Sequence, residues 1–465
     1  MNTKCVLFLC INSFLWYTKI DESEAYLMLK LTNIEKEKFD EYIKNHPQKS
    51  HFLQSVSWGE FAKVKKHLTP YYLGLVNEED QLVAATLLLE KHLPMNFSYF
   101  YAPRGFVLDY NKKELVKTMT QKIVEFAKTK KGIFVKIDPD LIIKSYNYLN
   151  EENEVKTKKE DILNTLKSCG WKHQGFTKNF ETMQPRYSFR IDLTQDLDQI
   201  EEHFSKTTKQ RIQKSLKLET EVEIGTKEDV KEFYNLMMLT ESRKDFVSYN
   251  EDYYETLYEI FNGNKNSKAI LFLGKVHFNK TIKALEKNLK RINDQISIMP
   301  IDNLSKSAKS KLTELERQRK STAEEIEKYK GYKKEYGDSI TLSAHMIIEY
   351  GNKAWVLYAG NHNVLSECYV NYNTYFEHIK KCKEDGIEIY DQFGTIGDLS
   401  KDNPRLGLHE FKKKFGGDYV EFIGEFDYVT NPIMYFVFTK LVPIYRNIIR
   451  KKSKKEIEHE VSGIK

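Results

Sequence analysis

TIKALEKNLKRINDQI (281–296) decides how the chain must be divided, because its apolar residues recur at the spacing of a helical seam. Ile282, Leu285, Leu289, Ile292 and Ile296 step by 3, 4, 3 and 4 residues, the alternation of a coiled coil. A return helix follows. Ala308, Leu312, Leu315, Thr322, Ile326 and Tyr329 share one stripe, after a turn at Pro300, Ile301, Asp302 and Asn303, and position 319 on that stripe is arginine, a flaw in the seam. Residues 280–335 are thus expected to form an antiparallel coiled-coil arm, and at ~1.5 Å per residue a helix over 281–297 reaches ~25 Å from its base. Residues 281–334 hold 14 Lys/Arg against 8 Asp/Glu, an excess of 6 that equals the net charge of the whole chain. Such an arm is either a solvated hairpin or a contact for RNA, and pattern alone weighs the two about equally.

On both sides of the arm the pattern alternates helix and strand. Residues 28–183 read as a first α/β unit: helices near 33–45 and 57–67, paired strands YYLGLV and QLVAATLLLE, the segment YFYAPRGFVLD, a helix near 112–129 and the strand GIFVKIDPD. Residues 184–279 open a second unit with PRYSFRIDLT, a basic helix, helices near 227–242 and 250–262 and the strand KAILFLGKV. Residues 336–432 complete it with SITLSAHMIIEYGNKAWVLYAG, two strands across a Gly-Asn turn, then a helix near 370–384 and the strand IEIYDQFG. The arm therefore interrupts the second unit.

The ends read differently. Residues 433–465 are expected to be a C-terminal helix and basic tail, with Ile444, Tyr445, Ile448 and Ile449 ahead of KKSKK, a pattern suited to resting on an anionic membrane surface. In residues 1–27, CVLFLCINSFLWY (5–17) is an apolar run of 13, short of the ~20 that span a bilayer. No small-residue cleavage site follows it. The segment reads as an extension ahead of Met28, with a weak membrane contact as the alternative.

Composition narrows the chemistry. With 465 residues, 40% hydrophobic and 13% aromatic, the chain is globular and long enough for several cores. Cys5, Cys10, Cys169, Cys368 and Cys382 form no CxxC pair or disulfide framework, which points to a reducing, cytoplasmic setting. The sequence contains no GxxxxGK[ST], no GxGxxG after a strand, no HExxH and no clustered Cys/His set. Nucleotide hydrolysis, dinucleotide redox chemistry and zinc catalysis lose weight accordingly, and neither metal nor cofactor is expected. A GxSxG elbow is also missing, so the chemistry expected is one that needs no protein nucleophile.

Basic clusters remain as candidate anion sites. Lys63 and Lys65 lie in WGEFAKVKK; Lys206, Lys209, Arg211, Lys214 and Lys217 occupy 205–217 without an acidic residue; and seven Lys/Arg fall between 440 and 455, again with none acidic. Each is either a phosphate-binding face or a solubilising one.

Set in order, SHFLQSVSWGEFAKVK (50–65), YAPRGFVLDY (101–110), VKIDPD (135–140), QPRYSFRIDL (184–193), WVLYAGN (355–361) and LHEFKKKFGGDYVEFIGEFD (408–427) resemble the Fem family of aminoacyl-tRNA-dependent peptidoglycan transferases, the FemA, FemX and MurM type. The similarity runs from about Met28 to residue 450. No one string is specific; their order around a coiled-coil insertion is. The resemblance implies two acetyltransferase-like (GNAT-like) α/β domains. It also implies transfer of an amino acid from aminoacyl-tRNA to an amine on the stem pentapeptide of lipid II or UDP-MurNAc-pentapeptide, by a cytoplasmic enzyme with a possible peripheral place at the inner membrane leaflet. Carrying the arm, the chain is more similar to FemA and MurM, which use the lipid-linked precursor, than to FemX. The (R/Q)xxGx(G/A) loop with which acetyltransferases hold the CoA pyrophosphate is missing, which argues against acetyl-CoA as donor.

An aminoacyl ester is already activated, so the acceptor amine needs only proximity, loss of a proton and a cation for the tetrahedral oxyanion. By resemblance Lys412 supplies that cation, with Phe411 shaping the pocket, although Lys413 and Lys414 leave the register open. Lys65 matches the lysine that holds the precursor's diphosphate and Tyr358 the tyrosine that hydrogen-bonds it; as a strand aromatic, Tyr358 reads equally as core. Asp138 falls where a carboxylate would act as general base, and Asp before Pro is also a turn former. Lys206, Lys209, Arg211, Lys214 and Lys217 are candidates for tRNA. The chain departs from the family at Tyr249, where an arginine that contacts the diphosphate is expected; Arg243 or Lys244 are the nearby substitutes, and a tyrosine cannot make a bidentate phosphate fork. Two rival readings stay open: an RNA-binding protein without catalysis, and a Fem-like transferase acting on a lipid or other acceptor.

Overall fold

A computed structural model describes residues 28–46, 51–243, 248–299 and 305–441. The N-terminal extension, Lys244, the turn at 300–303 and the basic tail from residue 442 lie outside the described residues. Among the described residues, no helix is long and apolar enough to cross a membrane.

Two sheets are built to one plan. In the first, β1 (Lys30–Asn33) leads through helices Lys36–Asn45 and Val56–Lys66 to an antiparallel meander of β2 (Thr69–Val76), β3 (Leu82–His92) and β4 (Ser98–Ala102). Helix Lys113–Thr129 then crosses over, and β5 (Gly132–Ile137) pairs parallel to β4. After β6 (Ile142–Tyr146), β7 (Trp171–His173) and β8 (Tyr187–Asp192), the plan repeats. β9 (Glu221–Gly225) is followed by helices Val230–Glu241 and Glu251–Asn262 and a meander of β10 (Ser267–His277), β11 (Ser339–Tyr350) and β12 (Lys353–Asn361). Helix Val370–Glu384 crosses over to β13 (Ile389–Asp391), which lies parallel to β12. One parallel pair inside an otherwise antiparallel sheet requires a helical crossover. Its occurrence in both sheets makes each an acetyltransferase-like α/β unit, as the resemblance implied.

The units exchange strands. β14 (Asp418–Phe422) and β15 (Phe426–Val429) are the last strands among the described residues, and β15 inserts between β5 and β7 of the first sheet, whereas β6 pairs with β14 at the edge of the second. Lys136 fixes the first exchange, with its ammonium 2.8 Å from both Glu425 and Asp427. Hydrophobic packing also crosses the boundary. Phe39, Phe52, Trp58 and Phe61 from the first unit share one core with Phe233, Tyr254, Leu257, Phe261 and Trp355 from the second, so the helices that follow β1 and β9 seal the units together.

Helices Phe278–Ser297 and Lys306–Tyr336 form the arm between β10 and β11. Leu285, Ile292, Leu315, Thr322, Ile326 and Tyr329 are buried along its seam, whereas Arg319 is exposed and Gln318 takes the half-buried place beside it. The seam steps aside by one residue because an arginine on it would lose hydration without a partner. Its root is apolar: Phe278, Leu285, Ile326 and Tyr329 pack with Leu218, Val276, Leu342, Leu365 and Cys368.

Candidate active site

Helix Val56–Lys66 begins at Ser55, whose hydroxyl accepts the Trp58 N–H at 3.0 Å, and buries Phe61 and Ala62. Its last turn delivers Lys65 and Lys66 to helix Glu251–Asn262, itself capped by Asn250 through the Tyr253 N–H at 3.1 Å. Lys65 pairs with Asp252. The next residue, Tyr253, has its hydroxyl 3.0 Å from that of Tyr358, and Tyr249 stacks on the Tyr253 ring at 3.7 Å and 6°. Burial pushes the Tyr253 and Tyr358 phenols far above their ordinary pKa, so both stay protonated and can donate to an anion. β12 can carry Tyr358 close to the neighbouring helix because Gly360 lies flush on it: a Cβ there would stand 2.9 Å from the backbone of Leu236 and Met237.

The expected diphosphate residues Lys65, Tyr358 and Tyr249 are thus brought together, and Lys66 joins them. Its ammonium lies 5.2 Å from the Trp58 ring, 5.8 Å from Tyr249 and 5.9 Å from Tyr253, and burial lowers its pKa. A cation over the Tyr249 ring stands close to where the family arginine was expected. Arg243 points elsewhere. Its guanidinium donates to the carbonyls of Asn361 and Leu239 and, with Arg211, lines a separate pocket of about 500 Å³ bounded by Asn361, His362, Tyr369 and Tyr372. Arg211 hydrogen-bonds the Tyr372 hydroxyl and lies 5.2 Å from the Tyr369 ring.

The remaining basic side chains of helix Lys206–Lys217 divide. Lys206 is exposed, and Lys209 donates to the Glu202 carbonyl at 3.2 Å. Lys214 and Lys217 face the arm across a cleft of about 500 Å³ that Arg291 and Arg317 also line. The root of the arm reaches the Arg211 pocket as well, because Lys328 and Tyr332 bond Glu367 in its wall.

Lys412 sits in helix Leu406–Lys413 and is buried. Its ammonium donates to the carbonyls of Gln392, Phe393 and Gly394, each at 2.6 Å. Phe393 (φ 47°) and Gly394 (φ 74°) are both left-handed, which turns three successive carbonyls to one side. Three N–H groups meet three acceptors. In this state Lys412 ties the segment after β13 to its helix, and it reaches a substrate oxyanion only by releasing one carbonyl. Phe411 lies beside it with its ring 5.2 Å from Tyr372 and 5.1 Å from Tyr375, and Tyr372 in turn lines the Arg211 pocket.

Asp138 follows β5 and is sealed in. Its carboxylate accepts the Tyr101 hydroxyl at 2.9 Å and the Arg104 N–H at 2.6 Å, and burial pushes its pKa up to about 7 against the pull of Arg104. Two residues on, Asp140 begins an ion network that joins the units. Arg190 bonds Asp140 at 2.8 Å and Asp391 at 2.7 Å, and Lys353 lies 3.6 Å from Asp140. Burial alone would raise the Asp140 pKa, yet Arg190 and Lys353 hold it well below the usual carboxylate range.

Sequence reasoning did not single out Asp140, Arg190, Lys353 or Asp391, nor Lys66, Asp252 and Tyr253. One signal was available: charged residues inside strand-like stretches, as in SFRID and EIYDQFG, are costly there unless paired. Glu221, Glu223 and His277 are close enough to hold a metal ion, but Lys275 and Lys280 already pair with the two carboxylates.

Two acetyltransferase-like sheets, with ammonium groups and phenols gathered in one corner, give the chain the fold of an acyltransferase. The comparisons with known proteins make it more particular. The FemAB family model matches residues 34–442, and the chain belongs to that family. It is 29% identical over 416 residues to a lipid II:glycine glycyltransferase of Staphylococcus epidermidis, covering 88% of this chain and 95% of the relative. It is 27% identical over 421 residues to the same-named protein of Staphylococcus aureus, with equal coverage. A crystal structure of FemX superposes with a TM-score of 0.74 at 26% identity, covering 88% of this chain and 99% of that one. FemX is therefore among the proteins of similar fold. The chain is an aminoacyltransferase.

Proposed function

We propose that this enzyme transfers an amino acid from aminoacyl-tRNA to an amine of the stem pentapeptide of lipid II, building the interpeptide bridge of peptidoglycan. The observation that carries the reading is the end-to-end similarity to lipid II:glycine glycyltransferases, whose name makes glycine the first amino acid to test. Lys65 and Lys66 would hold the acceptor's diphosphate, with the phenols of Tyr253 and Tyr358 donating to it. Arg211 and Arg243 would hold the phosphate that links the donor's terminal nucleotide to the one before it, while Lys214, Lys217, Arg291 and Arg317 follow its backbone along the arm.

In the reaction the acceptor nitrogen forms a bond to the ester carbonyl carbon, the bond to the ribose oxygen breaks, and the amine proton leaves for a base and finally for the ribose oxygen. Asp138, with a pKa of about 7, is proposed as the base, acting once the Tyr101 hydroxyl or the Arg104 N–H releases its carboxylate. Lys412 would stabilise the tetrahedral oxyanion by turning one N–H away from the carbonyls of Gln392 to Gly394. The aminoacyl ester supplies the driving force, so transfer to a lipid II analogue should survive apyrase and EDTA. Binding of charged tRNA without transfer would overturn this reading, and transfer to a lipid amine in preference to the stem peptide would redirect it.

A further inference from the structure

At one end of the first sheet the fold presents an apolar surface that no core requires. Thr430 and Asn431 both donate to the Ile133 carbonyl at 3.1 Å, which brings the end of β15 beside the starts of β4 and β5 and leads directly into helix Pro432–Phe436. The helix continues through a wide turn, Val437–Leu441. Its inner face is anchored. The Tyr435 ring lies 5.4 Å from Phe134 and its hydroxyl donates to Asp427 at 2.7 Å, while Phe438 packs 5.3 Å from Tyr99 and 5.9 Å from Phe134. The opposite face points to solvent: Ile433 is 78% exposed, Phe436 56% and Leu441 47%, with Lys440 exposed among them. Ile433, Phe436 and Lys440 recur at helical spacing, so anchoring one face leaves the other as a continuous stripe. Met95, 73% exposed, stands in the β3–β4 connection at this same end, where the Ser98 N–H donates to the Lys131 carbonyl.

Charge identifies the occupant. Lys131 and Lys440 flank the stripe, and the sequence that follows, 442–465, holds seven Lys/Arg against three Glu. The family model's match ends at residue 442, where the apolar stripe stops and this basic stretch begins. An apolar face flanked by lysines is matched by a surface whose outer layer is anionic and whose inner layer is hydrocarbon. A second copy of this chain would bring the same positive charge and repel it.

We propose that Ile433, Phe436, Lys440 and Leu441, with Met95, form a docking face for an anionic membrane surface. The face lies at the opposite end of β4 and β5 from Asp138, so docking leaves the catalytic end free. It deepens the reading above, since a lipid-linked acceptor lies in a membrane, but vesicle binding is measured with neither donor nor acceptor present, and the two readings fail separately.

The test is flotation of the full chain with vesicles of phosphatidylcholine alone and of phosphatidylcholine mixed equally with phosphatidylglycerol. Binding is expected to the mixed vesicles, weakened by salt. The double variant Ile433→Ser, Phe436→Ser should lower it at least about tenfold, with an unchanged melting temperature and unchanged transfer to a soluble acceptor analogue. No binding by the parent chain, or equal binding by the variant, overturns the proposal. So does a lipid-free dimer that the double variant dissolves, which would place a second copy on the face.

Discussion

The two units share a plan and differ where their parallel strands end. In the first, β4 and β5 stay paired along Phe100 to Ala102 against Val135 to Ile137, and their end is closed by Asp138 in the grip of Tyr101 and Arg104. In the second, β12 meets β13 only over Lys353 to Trp355. Beyond Trp355, β12 runs on through Tyr358 to Asn361 without that neighbour, and the phenol corner and the Arg211 pocket are built on this free stretch. One copy of the fold is closed and carries a sealed acid; the other is open and carries the cationic walls. Repetition thus supplied two sheets, and the separation of a single strand pair left the second with the free strand edge on which the phenol corner and the Arg211 pocket stand.

The joint between the copies can be broken outright. Arg190→Met leaves Asp140 and Asp391 buried without their shared cation, and a loss of about 3–5 kcal/mol in unfolding free energy is expected from denaturant titration. A loss under about 1 kcal/mol would mean that the units do not depend on this network. Next in size is the open copy. Lys412→Met should lower kcat about 100-fold and, with three carbonyls left unpaired, also lower the melting temperature. Loss of stability with kcat retained would reduce Lys412 to a structural tie.

The closed copy is tested through pH. Burial raises the Asp138 pKa to about 7, so the folded chain holds that proton more tightly than the unfolded chain. The resulting stabilisation is present in full below the ordinary carboxylate range and is lost as pH rises toward 7. Asp138→Asn should therefore flatten the decline in melting temperature between pH 5 and pH 8. If Asp138 is the base, the substitution also removes the rise in transfer rate centred near pH 7; a rise that persists assigns the base elsewhere. The smallest effect belongs to the arm. Arg291→Ser should change stability by no more than about 0.5 kcal/mol, yet lower the salt dependence of tRNA affinity by about one unit of slope. An unaltered slope would make the arm a solvated hairpin.

Much of this was legible beforehand because helices and long strands declare themselves locally. The seam of the arm, the helices at 230–241, 251–262 and 370–384, and the strands on both sides of the Gly-Asn turn follow from periodicity. Short strands did not announce themselves: β6, β7, β14 and β15 have three to five residues each, and their partners lie far away in sequence. Of the residues proposed for the diphosphate, Lys65 and Tyr358 were legible by resemblance, whereas the partner that holds Lys65, Asp252, was not, because an ion pair across 187 positions leaves no local trace.

By itself the sequence determined the kinds of element, the interruption of the second unit by a charged arm, and the family, since each rests on residues near one another in the chain or on motifs in fixed order. Only the tertiary structure decided that β6 and β15 lie in each other's sheets, that Arg243 leaves the phenol corner for the Arg211 pocket, and that Lys412 faces three carbonyls. Those outcomes depend on which strand edge is free and which buried charge lacks a partner, and such competitions are settled across hundreds of residues when the chain folds.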